Sequence, residues 1–168
     1  HLACCYGEIG SALLQPDGKV IYMGGNGKTA IYTPSGSTSN GSWQIGPSLP
    51  AGLGMADTVG AMMVNGKALC IVGLNDTNNL FDPPMRFFEY DYATSAFTQI
   101  QVPGGGTQLD ISAFPGRLLD LPDGAVLFNG IGNMLYVYQP DGSSVTNGRP
   151  AIKSVSYNSD GSLHLSGT

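Results

Sequence analysis

Charged residues are scarce in this sequence, and positive charge is the scarcest. Asp, Glu, Lys and Arg make up 11% of the 168 residues, compared with about 25% in typical soluble domains. Only seven residues are Lys or Arg, and the net charge is −5. Because nucleic-acid binding depends on clustered positive charge, this composition argues against a nucleic-acid partner.

Other signals are missing as well. No hydrophobic run approaches the roughly 20 residues that a membrane-spanning helix needs. The sequence has no zinc spacing of Cys and His, no nucleophile elbow and no phosphate-binding loop. We therefore predict no catalytic, cofactor-binding or metal site within the chain, and no membrane span.

The three cysteines allow several arrangements. Cys4 or Cys5 can pair with Cys70, although Cys70 lies in an apolar segment typical of a core strand. The adjacent Cys4 and Cys5 can also bond to each other, through a strained ring. The sequence leaves these arrangements open.

Glycine and proline are abundant, with 25 and 11 residues. Their excess without a collagen-like period indicates many tight turns between short strands. No helical periodicity extends beyond two turns. The composition therefore predicts an all-β fold.

A repeat runs through most of the chain. Each unit has an apolar strand, an Asp-Gly or Asn-Gly turn, a second apolar strand ending in glycine, and a third strand with a tyrosine. The turn glycines are Gly18, Gly66 and Gly124, and the tyrosines are Tyr32, Tyr90 and Tyr138. The dipeptides favour type I′ hairpin turns, and the recurring tyrosines are interpreted as packing residues.

The repeat averages about 53 residues, near the kelch period of roughly 50. We predict a partial kelch-type β-propeller over residues 1–148, with four-stranded blades at about 8–50, 56–103 and 110–148. Three blades cannot close a ring, since propellers have four or more. We expect the remaining blades to come from a longer protein or from other copies of the chain.

The pattern changes after residue 148. Val155-Ser156-Tyr157, a turn ending at Gly161, and Leu163-His164-Leu165 predict a hairpin. We interpret residues 149–168 as the start of an immunoglobulin-like domain.

Several stretches carry a resemblance to a known family, namely residues 8–20, 27–32, 81–90 and 116–124. On these motifs the chain resembles bacterial secreted kelch proteins of the galactose-oxidase-like superfamily, in which seven blades precede an immunoglobulin-like domain. The resemblance implies the fold far better than a function, because propellers host unrelated activities.

Copper oxidases of that superfamily hold copper with two tyrosines and two histidines, including an adjacent Tyr-His pair. This sequence has no such pair, and its two histidines, His1 and His164, lie near opposite ends. No copper ligand is carried over. Glu8, Asp57 and Asp110 precede the first strands of the three blades, which indicates a shared structural role, with calcium binding as an alternative.

Two glycosylation motifs, at Asn40 and Asn75, fall in predicted loops and favour a secreted, extracellular glycoprotein. The main functional hypothesis is a non-enzymatic scaffold for binding or surface assembly, with glycans or cell-surface polymers as partners. The loop from Leu74 to Met85 is its candidate recognition loop. The alternatives are a noncatalytic segment of a copper-radical oxidase and a self-assembling fibre subunit.

Overall fold

The computed structural model describes residues 1–79, 81–130, 132–142 and 151–167. Over these residues the protein is all-β with antiparallel sheets, which confirms the predicted class. A 3-10 turn at Cys5–Gly7 is the one helical piece in the described part. No described segment forms a helix long and apolar enough to cross a membrane.

Three sheets follow one another along the chain. Sheet 1 contains β1 (Ile9–Leu14), β2 (Val20–Gly24), β3 (Thr29–Thr33) and β4 (Ser42–Ile45). Sheet 2 contains β5 (Leu53–Gly54), β6 (Gly60–Met62), β7 (Ala68–Leu74), β8 (Arg86–Asp91) and β9 (Ala96–Ile100). The described strands of sheet 3 are β10 (Arg117–Asp120), β11 (Val126–Asn129) and β12 (Leu135–Tyr138).

Sheet 2 differs from the expected four strands because its first strand is interrupted. Both β5 and β6 pair with β7, with Leu53 opposite Leu74 and Ala61 opposite Leu69. Between them Asp57 has a φ of 50°, a left-handed conformation that is uncommon for residues other than glycine. The two short strands together occupy the place of one longer strand.

The three sheets share the same register at their tyrosines. In each sheet the residue two positions after the turn glycine pairs with the tyrosine of the third strand. The pairs are Val20–Tyr32, Ala68–Tyr90 and Val126–Tyr138.

The turns lie where they were predicted, but the prediction of type I′ geometry is wrong. In the first turn Gly18 has a φ of 80°, whereas Asp17 does not have a positive φ. The Asp17 carboxylate accepts a hydrogen bond of 3.1 Å from the backbone N–H of Lys19, and Gly18 N–H donates to the Gln15 carbonyl. Such a side-chain bond stabilises Asp17 in the right-handed helical region of φ and ψ. The result is a type I turn followed by a glycine in the left-handed region. The turns at Gly66 and Gly124 repeat this pattern.

The sheets stack face to face in chain order. We name the two contacts interface 1/2, which contains Ile21, Met23, Cys70 and Tyr90, and interface 2/3, which contains Leu69, Ile71, Phe87, Val126 and Phe128. Strand β6 contacts both β1 and β10, so the first strands of the sheets lie together. Because sheet 2 is covered on both faces, β7 is one continuous apolar run.

The hairpin predicted near the end of the chain is present. Strands β13 (Ile152–Tyr157) and β14 (Leu163–Gly167) pair in antiparallel fashion, and all of their residues are exposed. The boundary predicted at 148/149 and the end of the third predicted blade lie in 143–150, outside the described residues.

Candidate binding surface

The longest connections lie at one edge of the stacked sheets. In a meander successive connections alternate between edges, and here the opposite edge carries the Asp-Gly and Asn-Gly turns. We name the edge with the long connections the loop edge. Its described segments are residues 1–8, 25–28, 46–52, 75–79, 81–85, 101–116, 130 and 132–134.

Asn75 joins three segments at the loop edge. Its side-chain Nδ2 donates hydrogen bonds to the carbonyls of Asn26 (3.2 Å) and Leu53 (3.0 Å). Its backbone N–H donates to the Gly52 carbonyl at 3.1 Å. The start of the predicted recognition loop is therefore fixed to sheet 1 and to the connection before β5.

The cysteines take the third arrangement considered. Cys4 and Cys5 form a disulfide with each other, and Cys70 is a free, buried thiol. The Cys4 Sγ lies 3.2 Å from the Asn75 carbonyl oxygen. A disulfide sulfur carries no proton, so this approach is a packing contact and not a hydrogen bond. Burial raises the pKa of the Cys70 thiol to about 12.

Glu8 and Asp57 meet beside the interrupted strand of sheet 2. Hydrogen bonding to the Asp57 carboxyl group, followed by burial and the charge of Asp57, raises the pKa of Glu8. Asp110, the third acidic residue of the predicted set, is exposed. Among the described residues, no group of three or more His, Cys, Asp and Glu side chains could hold a metal ion.

Exposed aromatic side chains occur at the loop edge. Phe81 and Phe114 come from two different connections, and their ring centroids are 5.0 Å apart. Both are a little under half exposed, and Tyr6 is 86% exposed. Asp76 accepts hydrogen bonds from the Asn78 backbone and the Asn79 side chain, which lower its pKa and order the start of the loop. Exposed aromatic rings and amide side chains at one edge suit a ligand that has both apolar and polar surfaces.

The two glycosylation motifs lie in different environments. Asn40 is exposed and follows a serine-rich loop in which Ser35 bonds to Ser37 and Ser39. Asn75 is half-buried, and its Nδ2, the atom to which a glycan would be attached, makes two hydrogen bonds. The geometry favours Asn40 over Asn75 as an acceptor.

One polar cluster was missed by the sequence reasoning. Glu89 is only 8% exposed and accepts hydrogen bonds of 2.8 Å from Lys67 Nζ and from the Tyr138 hydroxyl. The cluster joins sheet 2 to sheet 3. Burial, the bond to Glu89 and its charge raise the pKa of Tyr138. A single acid inside the apolar run Phe87-Phe88-Glu89-Tyr90 was the signal that could have found it.

Two of the recurring tyrosines and one histidine lie on three different elements of the structure. Tyr90 is buried in interface 1/2 and Tyr138 bonds to Glu89, while His164 lies on β14 of the hairpin. A comparison with protein-family models finds no match for the chain, and a comparison with curated proteins finds none either.

Proposed function

We propose that the chain contributes three blades to a kelch-type β-propeller that serves as a non-enzymatic extracellular scaffold. The observation that carries the proposal is the common register of the three sheets, in which a tyrosine always faces the same position after the turn glycine. Stacking in chain order, with β6 in contact with β1 and β10, supports a radial arrangement around the first strands.

On this proposal the loop edge is the binding surface. Ligand sites commonly lie on connections that a rigid set of strands holds in place. Asn75 supplies such a support, and Tyr6, Phe81 and Phe114 supply exposed rings. Exposed aromatic rings suit the faces of sugar rings, and amide groups at the same edge suit their hydroxyl groups, so we assign extracellular polysaccharides as the ligand class.

The proposal includes secretion, glycosylation at Asn40, and a second domain that begins with the β13–β14 hairpin. The exposure of Asn40 supports the glycosylation. The hairpin supports the second domain, because its apolar residues, including Val155 and Leu165, are exposed and need a further sheet to cover them.

Binding of the chain to insoluble cellulose, chitin, xylan and peptidoglycan tests the function. Retention of the protein on at least one of these polymers is expected. The variants Phe81→Ala and Phe114→Ala should each weaken binding by roughly twofold to tenfold, since one stacked ring contributes roughly 0.5–1.5 kcal/mol.

Tyr157→Ala is the matched control, because Tyr157 is an exposed aromatic residue on the hairpin, away from the loop edge. Its binding should equal that of the wild type. Equal retention of all variants would show that the protein binds the polymer through a surface other than the loop edge. Retention on none of the polymers would overturn the polysaccharide assignment.

A further inference from the structure

A small closed loop, residues 4–8, lies at the loop edge, and we name it the tip loop. The backbone N–H of Cys4 donates to the Glu8 carbonyl at 3.0 Å, and the N–H of Glu8 donates back to the Cys4 carbonyl at 2.9 Å. The Gly7 N–H donates to the same Cys4 carbonyl at 3.0 Å. Both ends of the loop are therefore fixed, whereas Tyr6 at its centre is 86% exposed.

The middle of the tip loop has an uncommon backbone conformation. Cys5, Tyr6 and Gly7 have φ angles of 38°, 68° and 95°. This left-handed region is disfavoured for residues other than glycine, because the Cβ atom approaches the following carbonyl oxygen. Two such residues in succession persist only where the surrounding structure holds them. The Cys4–Cys5 disulfide does so, because it joins two neighbouring side chains that would point to opposite sides of an extended chain.

The disulfide also lies against the start of the predicted recognition loop. The Sγ atoms of Cys4 and Cys5 are 3.2 Å and 3.6 Å from the Asn75 carbonyl oxygen. The Thr77 hydroxyl oxygen is 3.6 Å from the Cys5 Sγ. Gly25 packs on the tip loop as well, since a Cβ atom at this position would lie 3.2 Å from the Cys4 Cβ. Cys4 is therefore enclosed by neighbouring segments, and the exposed centre of the tip loop is the part with room to move.

The disulfide is accessible, whereas the third cysteine is not. Cys4 and Cys5 are half-buried beside the exposed Tyr6, and Cys70 is fully buried in interface 1/2. Thiol–disulfide exchange requires a thiolate to reach a sulfur atom, so exposed disulfides exchange more readily than buried ones. A reductant can therefore act on the tip loop without opening the core.

Because the disulfide holds the left-handed backbone that presents the exposed ring, we infer that it is a redox switch for the position of Tyr6. The co-reactant is an external dithiol. One of its thiolates attacks a sulfur, the Cys4–Cys5 bond breaks, and its second thiol resolves the mixed disulfide. The dithiol is oxidised to a disulfide, and Cys4 and Cys5 receive its two electrons and two protons.

Reduction frees the centre of the tip loop and leaves its support in place. Cys5 and Tyr6 leave the left-handed region, and the Tyr6 ring leaves its position at the loop edge. Asn75 stays fixed, because its bonds to Asn26, Leu53 and Gly52 involve no sulfur. The effect on ligand binding rests on the proposed function, in which Tyr6 is one of the exposed rings of the binding surface.

Alkylation of the folded protein tests whether the bond is reducible. After treatment with dithiothreitol, mass spectrometry should find iodoacetamide on Cys4 and Cys5. Cys70 should stay unlabelled until the protein is unfolded, because its side chain is fully buried. A Cys4–Cys5 bond that resists dithiothreitol until the protein unfolds would rule out the switch.

Hydrogen exchange tests the movement without any ligand. On reduction the N–H groups of Gly7 and Glu8 should exchange faster, because their bonds lie within the tip loop. The N–H of Asn75 should keep its protection, because it is bonded to the Gly52 carbonyl. Unchanged exchange at Gly7 and Glu8 after complete reduction is incompatible with the inference.

Binding to the polymer that retains the wild type tests the consequence for function. The reduced wild type and the double variant Cys4→Ser, Cys5→Ser should bind equally, and both should bind roughly twofold to tenfold more weakly than the oxidised wild type, the effect of one ring. Tyr6→Ala should show the same loss and no further change with dithiothreitol. Cys70→Ala is the matched control and should keep the full redox response, because Cys70 is a free thiol in the core.

A redox response that persists in Tyr6→Ala, or one that disappears in Cys70→Ala, would overturn the inference. If no polymer is bound in either redox state, the polysaccharide assignment alone fails. The switch is then decided by the labelling and exchange experiments, which use no ligand.

Discussion

The two interfaces between sheets are built alike in their apolar residues but differ in their polar contacts. Interface 1/2 is bridged by a neutral hydrogen bond of 3.1 Å from Gln15 to Tyr90, and it buries the Cys70 thiol. Interface 2/3 is bridged by Glu89, which binds Tyr138 of sheet 3 and Lys67 of its own sheet. The apolar packing therefore repeats from one interface to the next, whereas the titratable groups differ. They are Cys70 in interface 1/2, and Glu89 with Tyr138 in interface 2/3.

The difference has a consequence for stability at high pH. A group whose pKa is higher in the folded than in the unfolded state destabilises the fold once the pH exceeds its unfolded value. Cys70 is such a group in interface 1/2, and Tyr138 is one in interface 2/3. Alkaline unfolding experiments can therefore examine the two interfaces separately.

The largest expected effect is at Cys70. Its thiol ionises near pH 9 when unfolded, whereas burial raises the folded pKa to about 12. Between pH 9 and 12 the free energy of unfolding should fall by up to about 4 kcal/mol from this group alone. Urea denaturation across this range should show a shallower fall for Cys70→Ala than for the wild type. Parallel pH profiles would show that Cys70 is not the group responsible.

The strands and turns of this fold were predictable because their signals are local. Alternating or continuous apolar residues and the turn glycines Gly18, Gly66 and Gly124 lie within a few positions of the structures they specify. The turn type was not predictable from the dipeptide alone, because a side-chain bond such as that of Asp17 decides it.

The site was less predictable, because its contacts join distant residues. Asn75 bonds to a carbonyl 49 positions away, and Tyr138 bonds to a glutamate at the same separation. No repeat or motif in the sequence predicts either hydrogen bond. The Cys4–Cys5 bond depends on the local backbone, in which Cys5 and Tyr6 both have positive φ angles, and the residue types do not reveal this.

The second-largest expected effect is the loss of stability at neutral pH when the polar bridge of either interface is removed. Glu89→Leu leaves the Tyr138 hydroxyl and the half-buried Lys67 without their acceptor, and should cost about 2 kcal/mol. Gln15→Leu removes one neutral bond to Tyr90 and should cost about 1 kcal/mol. Free energies of unfolding from urea titrations at pH 7 measure both changes. An equal loss in the two variants would mean that the charged cluster stabilises no more than a single neutral bond.

The smallest effect isolates the tyrosine of interface 2/3. Tyr138→Phe removes its bond to Glu89 and should cost about 1 kcal/mol at pH 7. Since the Tyr138 pKa is raised on folding, the wild type should lose stability above pH 10, the ordinary tyrosine value, and the variant should lose less. Tyr157→Phe, which removes the same hydroxyl from an exposed hairpin tyrosine, is the matched control and should follow the wild type. If Tyr138→Phe and Tyr157→Phe had the same slope above pH 10, the ionisation of Tyr138 would not be coupled to interface 2/3.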